Sequence, residues 1–156
     1  MIKLVRTNSD NTDFINLVKE LDAYLRITDG DEHDFYNQFN AIHNLKNVVV
    51  AYLNKQAVGC GAFKELSKTD VEVKRMFTRL NTRGKGIASA VLKELECWAQ
   101  ELNYKSIVLE TGIRQTEAVQ FYRKNNYTTI PNYGPYLGVK NSLCFKKTLS
   151  NNENQI

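Results

Sequence analysis

The stretch "LNTRGKGIAS", residues 80–89, sets two glycines around a lysine just before an apolar helical pattern. Glycines in this position let the backbone curve around an anion without a Cβ in the way. The helix that follows offers unpaired N–H groups and a partial positive charge at its N-terminus. The stretch therefore predicts a phosphate-binding turn, although a tight strand-to-helix turn with solvated basic residues gives the same pattern.

Two other phosphate-binding motifs fit this stretch poorly. A Walker loop needs Lys and then Ser or Thr after its last glycine, but Gly86 is followed by Ile87. A dinucleotide-binding turn has its first glycine directly after a strand, whereas residues 79–83 separate Gly84 from the nearest apolar pattern. A different phosphate ligand is therefore needed.

Strands and helices alternate on both sides of the turn. "DVEVKRMFT", residues 70–78, alternates as a strand does, which predicts two opposite faces: Val71, Val73, Arg75 and Phe77 on one, and Glu72, Lys74, Met76 and Thr78 on the other. Apolar residues from Ile87 to Leu102 recur at helical spacing. "KSIVLET", residues 105–111, predicts another strand, and residues 115–124 a further helix ended by Asn125-Asn126.

The rest of the chain completes a mixed sheet. "IKLVRT" is a predicted first strand, and a helix capped near Asn11 runs to a break around Gly30. A second short helix is expected from about Asp34 to His43. "NVVVAYL" and "AVGCGAF" predict a hairpin with its turn at residues 54–56, and "SLCFKKTL" a last strand. The predicted order is βααβββαβαβ, with room for one more short strand near residues 127–130.

Four motifs, in the same order along the chain, resemble the GNAT superfamily of N-acetyltransferases. They are an E-x-K-R-M strand at residues 72–76, R-G-x-G-I-A at 83–88, an L-E-T-G strand at 109–112 and an A-x-x-F-Y helix at 118–122. The second motif resembles the family's R/Q-x-x-G-x-G/A acyl-CoA motif. Four ordered motifs are more specific than one glycine loop, so we interpret the turn as a site for the pyrophosphate of acetyl-CoA.

Two positions depart from the family pattern. The family often has Asn where this chain has Gln115, which keeps an amide but lengthens its reach. The family's Gly-Phe after the last helix is Asn126-Tyr127 here, and Asn tolerates the left-handed conformation that this position requires. The resemblance runs from about residue 48 to residue 149; residues 1–45 resemble the family only in their β-α-α pattern.

The resemblance implies an α/β fold in which a mostly antiparallel, twisted sheet of about six to seven strands carries helices on both faces. It also implies transfer of an acetyl group from acetyl-CoA to a primary amine of a small molecule or peptide, by direct attack in a ternary complex. The alternative is a module that binds CoA for regulation or scaffolding without transfer. Homodimers occur among the proteins that it resembles.

The same resemblance assigns site residues position by position. Cofactor contacts are expected at Met76, Phe77, Thr78, Arg83, Gly84, Lys85, Gly86, Ile87, Ala88, Gln115 and Tyr122. In the family, the pantetheine arm pairs with the fourth strand through backbone groups, and the N–H of Met76 matches the one that polarises the thioester carbonyl. Tyr122 matches the family's tyrosine that protonates the leaving thiolate. Glu72 and Glu110 are the candidate bases, with solvent as a third possibility.

The acceptor is expected between two segments. One is the loop at residues 27–35, whose acidic residues Asp29, Asp31, Glu32 and Asp34 would suit a cationic amine but would equally suit a solvated loop. The other is the segment at residues 131–139. There Tyr133 and Tyr136 are candidate pocket walls or ordinary lid packing.

The distribution of charged residues and histidines bears on whether the protein binds an anionic ligand, a nucleic acid or a metal. Residues 1–70 carry eight Lys and Arg against ten Asp and Glu, whereas residues 71–156 carry thirteen against seven. The second part is therefore the better place for an anionic ligand, but the excess is too dilute to predict a nucleic-acid partner. His33 and His43 lack the spacing of metal ligands, so we expect no metal.

Cysteine usage and hydropathy indicate the compartment. Cys60, Cys97 and Cys144 are odd in number and far apart, which is typical of reduced, buried thiols in a cytoplasmic protein. We expect no membrane segment, because no window approaches the length of an apolar span. A single acetyltransferase domain is expected over residues 1–149, followed by a disordered tail at residues 150–156.

Overall fold

The computed structural model describes residues 1–30 and 44–149. Its elements, in chain order, are β1 (Ile2–Thr7), α1 (Thr12–Asp29), β2 (Asn47–Leu53), β3 (Gln56–Glu65), β4 (Asp70–Thr78), α2 (Ile87–Glu101), β5 (Ser106–Gly112), α3 (Thr116–Lys124), β6 (Thr128–Ile130) and β7 (Ser142–Thr148). Short 3-10 turns occupy Leu80–Thr82 and Gly134–Tyr136. The predicted helix at residues 34–43, both histidines and the predicted tail at residues 150–156 lie outside the described residues.

The strands form one seven-stranded sheet in the order β1-β2-β3-β4-β5-β7-β6. β4 and β5 pair in parallel, whereas β1–β2, β2–β3, β5–β7 and β6–β7 pair antiparallel. This confirms the predicted mixed α/β class, and β6 confirms the additional short strand. The chain divides into two compact units, Met1–Lys64 with Lys74–Trp98 and Glu65–Val73 with Ala99–Ile156. A single domain over residues 1–149 stays a prediction.

In the first unit, α1 covers one face of the sheet. Asn11 caps the helix, because its side chain accepts a hydrogen bond of 2.9 Å from the N–H of Phe14. One apolar stripe of α1 is buried against residues of β2, β3 and β4: the cluster comprises Phe14, Leu17, Val18, Leu21, Leu45, Val48, Val50, Cys60, Ala62 and Phe77. This cluster is the α1 core of the first unit.

α2 covers the opposite face in the same unit, and two glycines of β3 make room for it. A Cβ at Gly61 would lie 3.0 Å from both Leu95 and Val91 of α2, and a Cβ at Gly59 would lie 2.9 Å from Ile87. The 2.9 Å approach is shorter than carbon atoms normally adopt and the 3.0 Å approaches are tight, so a larger residue at either position would have to displace side chains of α2. Helices on both faces, as predicted, are confirmed here.

The β2–β3 hairpin is tighter than predicted. Asn54 and Lys55 both have left-handed backbones, with φ of 53° and 69°, as the two central residues of a type I′ turn require. Gln56 pairs with Leu53 and so belongs to β3 rather than to the turn. A two-residue loop of this hand matches the twist of the strands that it joins.

A left-handed φ of 59° at Arg75 interrupts β4. The predicted two-residue alternation requires an extended backbone throughout, so the face of Glu72 cannot be counted from the face of Met76. After the interruption, Phe77 belongs to the α1 core, and Thr78 lies beside Gly59 on the α2 side. Within residues 75–78 the predicted alternation holds, because Arg75 pairs with Asp22 of α1 and Phe77 belongs to the α1 core, whereas Thr78 lies on the α2 side. One pair of faces over the whole of residues 71–78 stays a prediction.

In the second unit, β7 pairs with the whole of β5 and with β6. Aromatic residues join α3 to this part of the sheet: the Tyr122 ring lies 5.7 Å from that of Tyr127 and 6.2 Å from that of Phe145. Asn126 has φ of 73° and closes the helix. This confirms the prediction that Asn126 adopts the left-handed conformation at the position where the family has glycine.

The three cysteines differ in exposure. Cys60 and Cys144 are fully buried, but Cys97 on α2 is exposed. The prediction of three buried thiols was therefore wrong for Cys97, which lies outside the stripe that α2 buries, and Leu102 beyond the end of the helix is likewise exposed. Burial raises the pKa of Cys60 to about 12 and that of Cys144 to about 11.

We expect one thiol of the native protein to react rapidly with an aromatic disulfide reagent at pH 8, and all three to react after unfolding in guanidinium. Only a thiolate attacks the reagent, and burial both shields Cys60 and Cys144 and keeps them protonated. The absorbance of the thiol released from the reagent measures how many cysteines have reacted. A Cys97→Ser variant should lose the rapid phase; three rapid thiols in the native protein would contradict the burial described.

Candidate active site

The loop between β4 and α2 lies in the first unit and contains the two glycines noticed in the sequence. Gly84 and Gly86 have φ of 83° and 78°, a region that side chains with a Cβ rarely adopt. A Cβ added at either glycine would meet no atom of the described residues within 4 Å. The glycines are therefore needed for their conformation and for open approach to the backbone, rather than for packing.

Backbone donors that have no acceptor within the helix lie directly after the loop. The first hydrogen bond of α2 runs from the N–H of Ala90 to the carbonyl of Gly86, at 3.0 Å. The N–H groups of Ile87, Ala88 and Ser89 precede that bond and have no acceptor within the helix. Together with the positive end of the helix dipole, they form an anion-binding site at the loop.

Two basic residues add charge to the loop. Lys85 is exposed. Arg83 is also exposed, and its guanidinium lies 5.4 Å from the centre of the Tyr24 ring while its Nε donates to the carbonyl of Thr78 at 3.3 Å. Both charges lie within the predicted phosphate-binding stretch.

The base of the loop is fixed by Arg79. Its N–H donates to the carbonyl of Val58 at 2.8 Å, and its own carbonyl accepts the hydroxyl of Thr82 at 2.8 Å. Its guanidinium makes a bidentate contact with Glu20 of α1, at 2.7 to 3.1 Å. Sequence reasoning missed Glu20 and Tyr24, because nothing in α1 signals a partner some sixty residues later.

The predicted pantetheine contacts lie at the end of β4. Met76 is half-buried, and Phe77 and Thr78 are buried. Because the Phe77 side chain belongs to the α1 core, only its backbone is available to a ligand. Gln115 is the N-cap residue just before α3 in the second unit, and its N–H donates to the carbonyl of Gly112 at 2.9 Å.

In the second unit, Glu72 and Tyr133 form a close pair. The Tyr133 hydroxyl donates to the Glu72 carboxylate at 2.6 Å, and Glu72 is only 3% exposed. Burial, and then the negative charge of Glu72, raise the pKa of Tyr133 well above its usual range. The Tyr136 ring lies edge-on at 5.8 Å from that of Tyr133. The contact with Glu72 was not predicted, because the two residues are 61 positions apart.

Glu110 lies in the same unit, opposite Cys144 in the β5–β7 ladder. The pKa of the Cys144 thiol is raised chiefly by burial, and the charges of Glu110 and Glu72 add to the rise. Both predicted bases therefore act electrostatically on the same thiol.

Tyr122 is almost fully buried in the second unit. Its ring contacts those of Phe121, Tyr127 and Phe145. Burial, with a smaller contribution from the charge of Glu110, raises the pKa of Tyr122 above its ordinary value. Its hydroxyl therefore keeps its proton at neutral pH.

One predicted acceptor segment begins later than expected. Ile27, Thr28 and Asp29 belong to α1, which ends at Asp29 and has Gly30, with φ of 57°, as its C-cap residue. The predicted loop over residues 27–35 was therefore wrong at its start, since the helix continues through its polar last turn. Asp31, Glu32 and Asp34 lie outside the described residues.

Neither a group of metal ligands nor a membrane-spanning helix is found in the described residues. Across residues 1–30 and 44–149, no three or more His, Cys, Asp or Glu side chains are grouped so as to hold a metal ion. In this described part of the chain, no helix has both the length and the apolar character that crossing a membrane requires.

Comparison with known proteins identifies the class. The sequence model of the Acetyltransferase (GNAT) family matches residues 14–127. The chain is 31% identical over 143 residues to an IAA acetyltransferase of Azospirillum brasilense, covering 86% of this chain and 90% of that protein. The chain therefore belongs to the GNAT acetyltransferase family, and its reaction class is acyl transfer from acyl-CoA.

Solved structures agree with this assignment at the level of the fold. An acyl-CoA N-acyltransferase from Klebsiella pneumoniae has a TM-score of 0.80 and 24% identity, over 96% of this chain and 99% of that chain. A GNAT acetyltransferase from Elizabethkingia anophelis, solved with acetyl-CoA bound, has a TM-score of 0.69 and 16% identity, over 95% and 98%. The predicted GNAT fold is thereby confirmed.

Proposed function

We propose that this enzyme moves an acetyl group from acetyl-CoA to a primary amine of a small molecule or peptide, by direct attack in a ternary complex. The observation that carries the proposal is the loop at residues 83–88. It combines two left-handed glycines, the unpaired N–H groups of a helix N-terminus and two basic side chains. This combination fits the pyrophosphate of a CoA thioester.

The remaining cofactor contacts are assigned through backbone groups. Met76 and Thr78 would pair with the two amides of the pantetheine arm, as an added strand does. The N–H of Met76 would donate to the thioester carbonyl, which gains negative charge during attack. Gln115 would contact CoA through its amide.

Glu72 is our first candidate for the base. A buried carboxylate held by the Tyr133 hydroxyl has a defined orientation, which general-base catalysis requires. Glu110 is the second candidate, and would otherwise attract the ammonium form of the acceptor. Solvent remains the third possible proton acceptor.

Tyr122 is the candidate acid, but its pKa limits how far it can transfer a proton to the thiolate. A free thiol has a pKa of about 8.5, whereas an ordinary tyrosine has about 10. Because burial raises the pKa of Tyr122 further, complete proton transfer to the thiolate is uphill. We therefore propose that the Tyr122 hydroxyl donates a hydrogen bond to the departing sulfur and keeps its proton. Solvent then protonates the CoA thiolate.

We expect Tyr122→Phe to lower kcat by about tenfold while leaving the dissociation constant of acetyl-CoA within about twofold. The variant removes one hydrogen-bond donor and preserves the aromatic packing with Tyr127 and Phe145. Steady-state turnover and calorimetric titration measure the two effects. Phe121→Leu, which changes a neighbouring ring without removing a hydroxyl, is the control. An unchanged kcat in Tyr122→Phe would remove this tyrosine from the mechanism.

The proposal is tested by screening amines for release of free CoA. The assay detects thiol, so it uses Cys97→Ser protein, which lacks the exposed cysteine. IAA, the compound in the name of the Azospirillum brasilense relative, belongs in the same panel. Release of free CoA in the presence of an amine supports the proposal. Binding of acetyl-CoA without release for any amine would favour a CoA-binding module.

A further inference from the structure

Arg75 has a left-handed backbone within a strand, with φ of 59°. A side chain with a Cβ is disfavoured in this region, and Arg has none of the tolerance of Gly or Asn. Such a conformation persists only where its surroundings impose it, and often where function uses it. The contacts of Arg75 therefore need to explain the kink.

The Arg75 guanidinium is buried and held by one carboxylate. Its side chain is 2% exposed, and it forms an ion pair with Asp22 of α1, whose side chain is 37% exposed. The buried Nε finds no hydrogen-bond partner among the described residues. A buried cation is costly without its counter-ion, so Asp22 determines where the Arg75 side chain can lie. The direction of the side chain in turn constrains the backbone that bears it.

The Arg75 carbonyl shows where the next peptide N–H points. It accepts the thiol of Cys60 at 3.4 Å, inside the α1 core. Burial raises the pKa of Cys60 to about 12, so the thiol keeps the proton that it donates. In a trans peptide the carbonyl and the following N–H point in opposite directions. The N–H of Met76 is therefore directed away from Cys60 and from that core.

We propose that Arg75 and Asp22 are positioning residues that hold the kink in β4 and thereby aim the N–H of Met76 at the thioester carbonyl. The inference rests on the proposed function, which assigns that carbonyl to Met76. Neither residue touches the reacting atoms. Because an N–H stabilises the developing charge only when it is aligned, losing the kink lowers kcat rather than the affinity for acetyl-CoA.

The first test compares Arg75→Met with Arg75→Gly. Met fills similar volume without charge and favours an extended strand, whereas Gly accepts the left-handed conformation without an anchor. We expect Arg75→Met to lower kcat about 30-fold with the acetyl-CoA dissociation constant within about threefold, and Arg75→Gly to retain several-fold more kcat than Arg75→Met. If Arg75 only filled space, Arg75→Gly would have the lower kcat of the two variants, because Gly removes more atoms. That result would overturn the inference.

The second test uses Asp22→Ala, with Glu94→Ala of α2 as a control outside the cofactor loop. Both changes remove a partly exposed carboxylate paired with an arginine, but the Arg75 side chain is 2% exposed, whereas the side chain of Arg6, which pairs with Glu94 at 2.6 Å, is 32% exposed. We expect kcat to fall about tenfold in Asp22→Ala and to stay within about twofold in Glu94→Ala, because pairs near the surface contribute little. Equal effects in the two variants would overturn the inference, and this comparison decides it if Arg75→Gly does not fold.

Turnover by the wild-type protein distinguishes failure of the positioning role from failure of the proposed function. Release of CoA by wild-type protein, with kcat unchanged in Arg75→Met, overturns the positioning role alone. No release by wild-type protein with any amine contradicts the proposed function instead. Circular dichroism of each variant at the assay temperature confirms that a folded protein is compared.

Discussion

Replacing Gly86 by Asp is expected to weaken acetyl-CoA binding by at least about 100-fold. Position 86 has φ of 78° and leads directly into the unpaired N–H groups of α2. A carboxylate there meets the pyrophosphate with like charge, and a repulsion of about 3 kcal/mol corresponds to about two orders of magnitude in affinity. Isothermal titration calorimetry with acetyl-CoA measures the dissociation constant.

Gly138→Asp is the matched control for this change. Gly138 has φ of 74° and open space around it, so the same substitution brings the same backbone strain outside the loop at residues 83–88. Affinity should stay within about twofold there. Asn tolerates positive φ and adds no charge, so the acetyl-CoA affinity of Gly86→Asn should lie between those of Gly138→Asp and Gly86→Asp. Undiminished binding in Gly86→Asp would remove the loop from the cofactor site.

Replacing Glu72 by Gln is expected to lower kcat/KM for the amine by about 100-fold at neutral pH. The amide keeps an oxygen that can accept the Tyr133 hydroxyl, so the packing is preserved while the base is removed. Activity should recover as pH rises, because more of the acceptor is then present as free amine. The affinity for acetyl-CoA should not change. Initial rates across the pH range, at saturating acetyl-CoA, measure the effect.

Glu65→Gln is the control for the Glu72 variant. Glu65 also accepts a tyrosine hydroxyl at 2.6 Å, from Tyr104, but this pair is exposed. Its substitution should leave the rate within about twofold. A larger loss in Glu110→Gln than in Glu72→Gln would transfer the role of base to Glu110. No loss in either variant would indicate that solvent accepts the proton.

Local patterns explain why most of the fold was predictable. Asn11 precedes an apolar helical stripe and caps α1, the alternation in residues 70–78 gives β4, and the glycine pair opens onto α2. Each of these features depends on near neighbours in the chain, where spacing is informative. The four ordered motifs then identified the family, which the comparisons confirmed.

The features that were missed depend on contacts distant in the chain. Nothing near Arg75 signals a left-handed residue, because the kink is associated with Asp22, 53 positions earlier. The contact between Tyr133 and Glu72 spans β4 and the segment before β7. A small apolar residue on an amphipathic helix is predicted to be buried, but Cys97 lies outside the stripe that packs and is exposed. Periodicity predicts faces, whereas tertiary pairs require the fold.

The transfer itself is tested most directly with acetyl-CoA labelled with carbon-13 in its acetyl group. The label is followed by nuclear magnetic resonance and mass spectrometry after incubation with the wild-type enzyme and the best amine of the panel. The account predicts that the label appears in an amide of that amine, in equal amount to the CoA released. Label recovered only in acetyl-CoA, or only in free acetate, would contradict acetyl transfer to an amine.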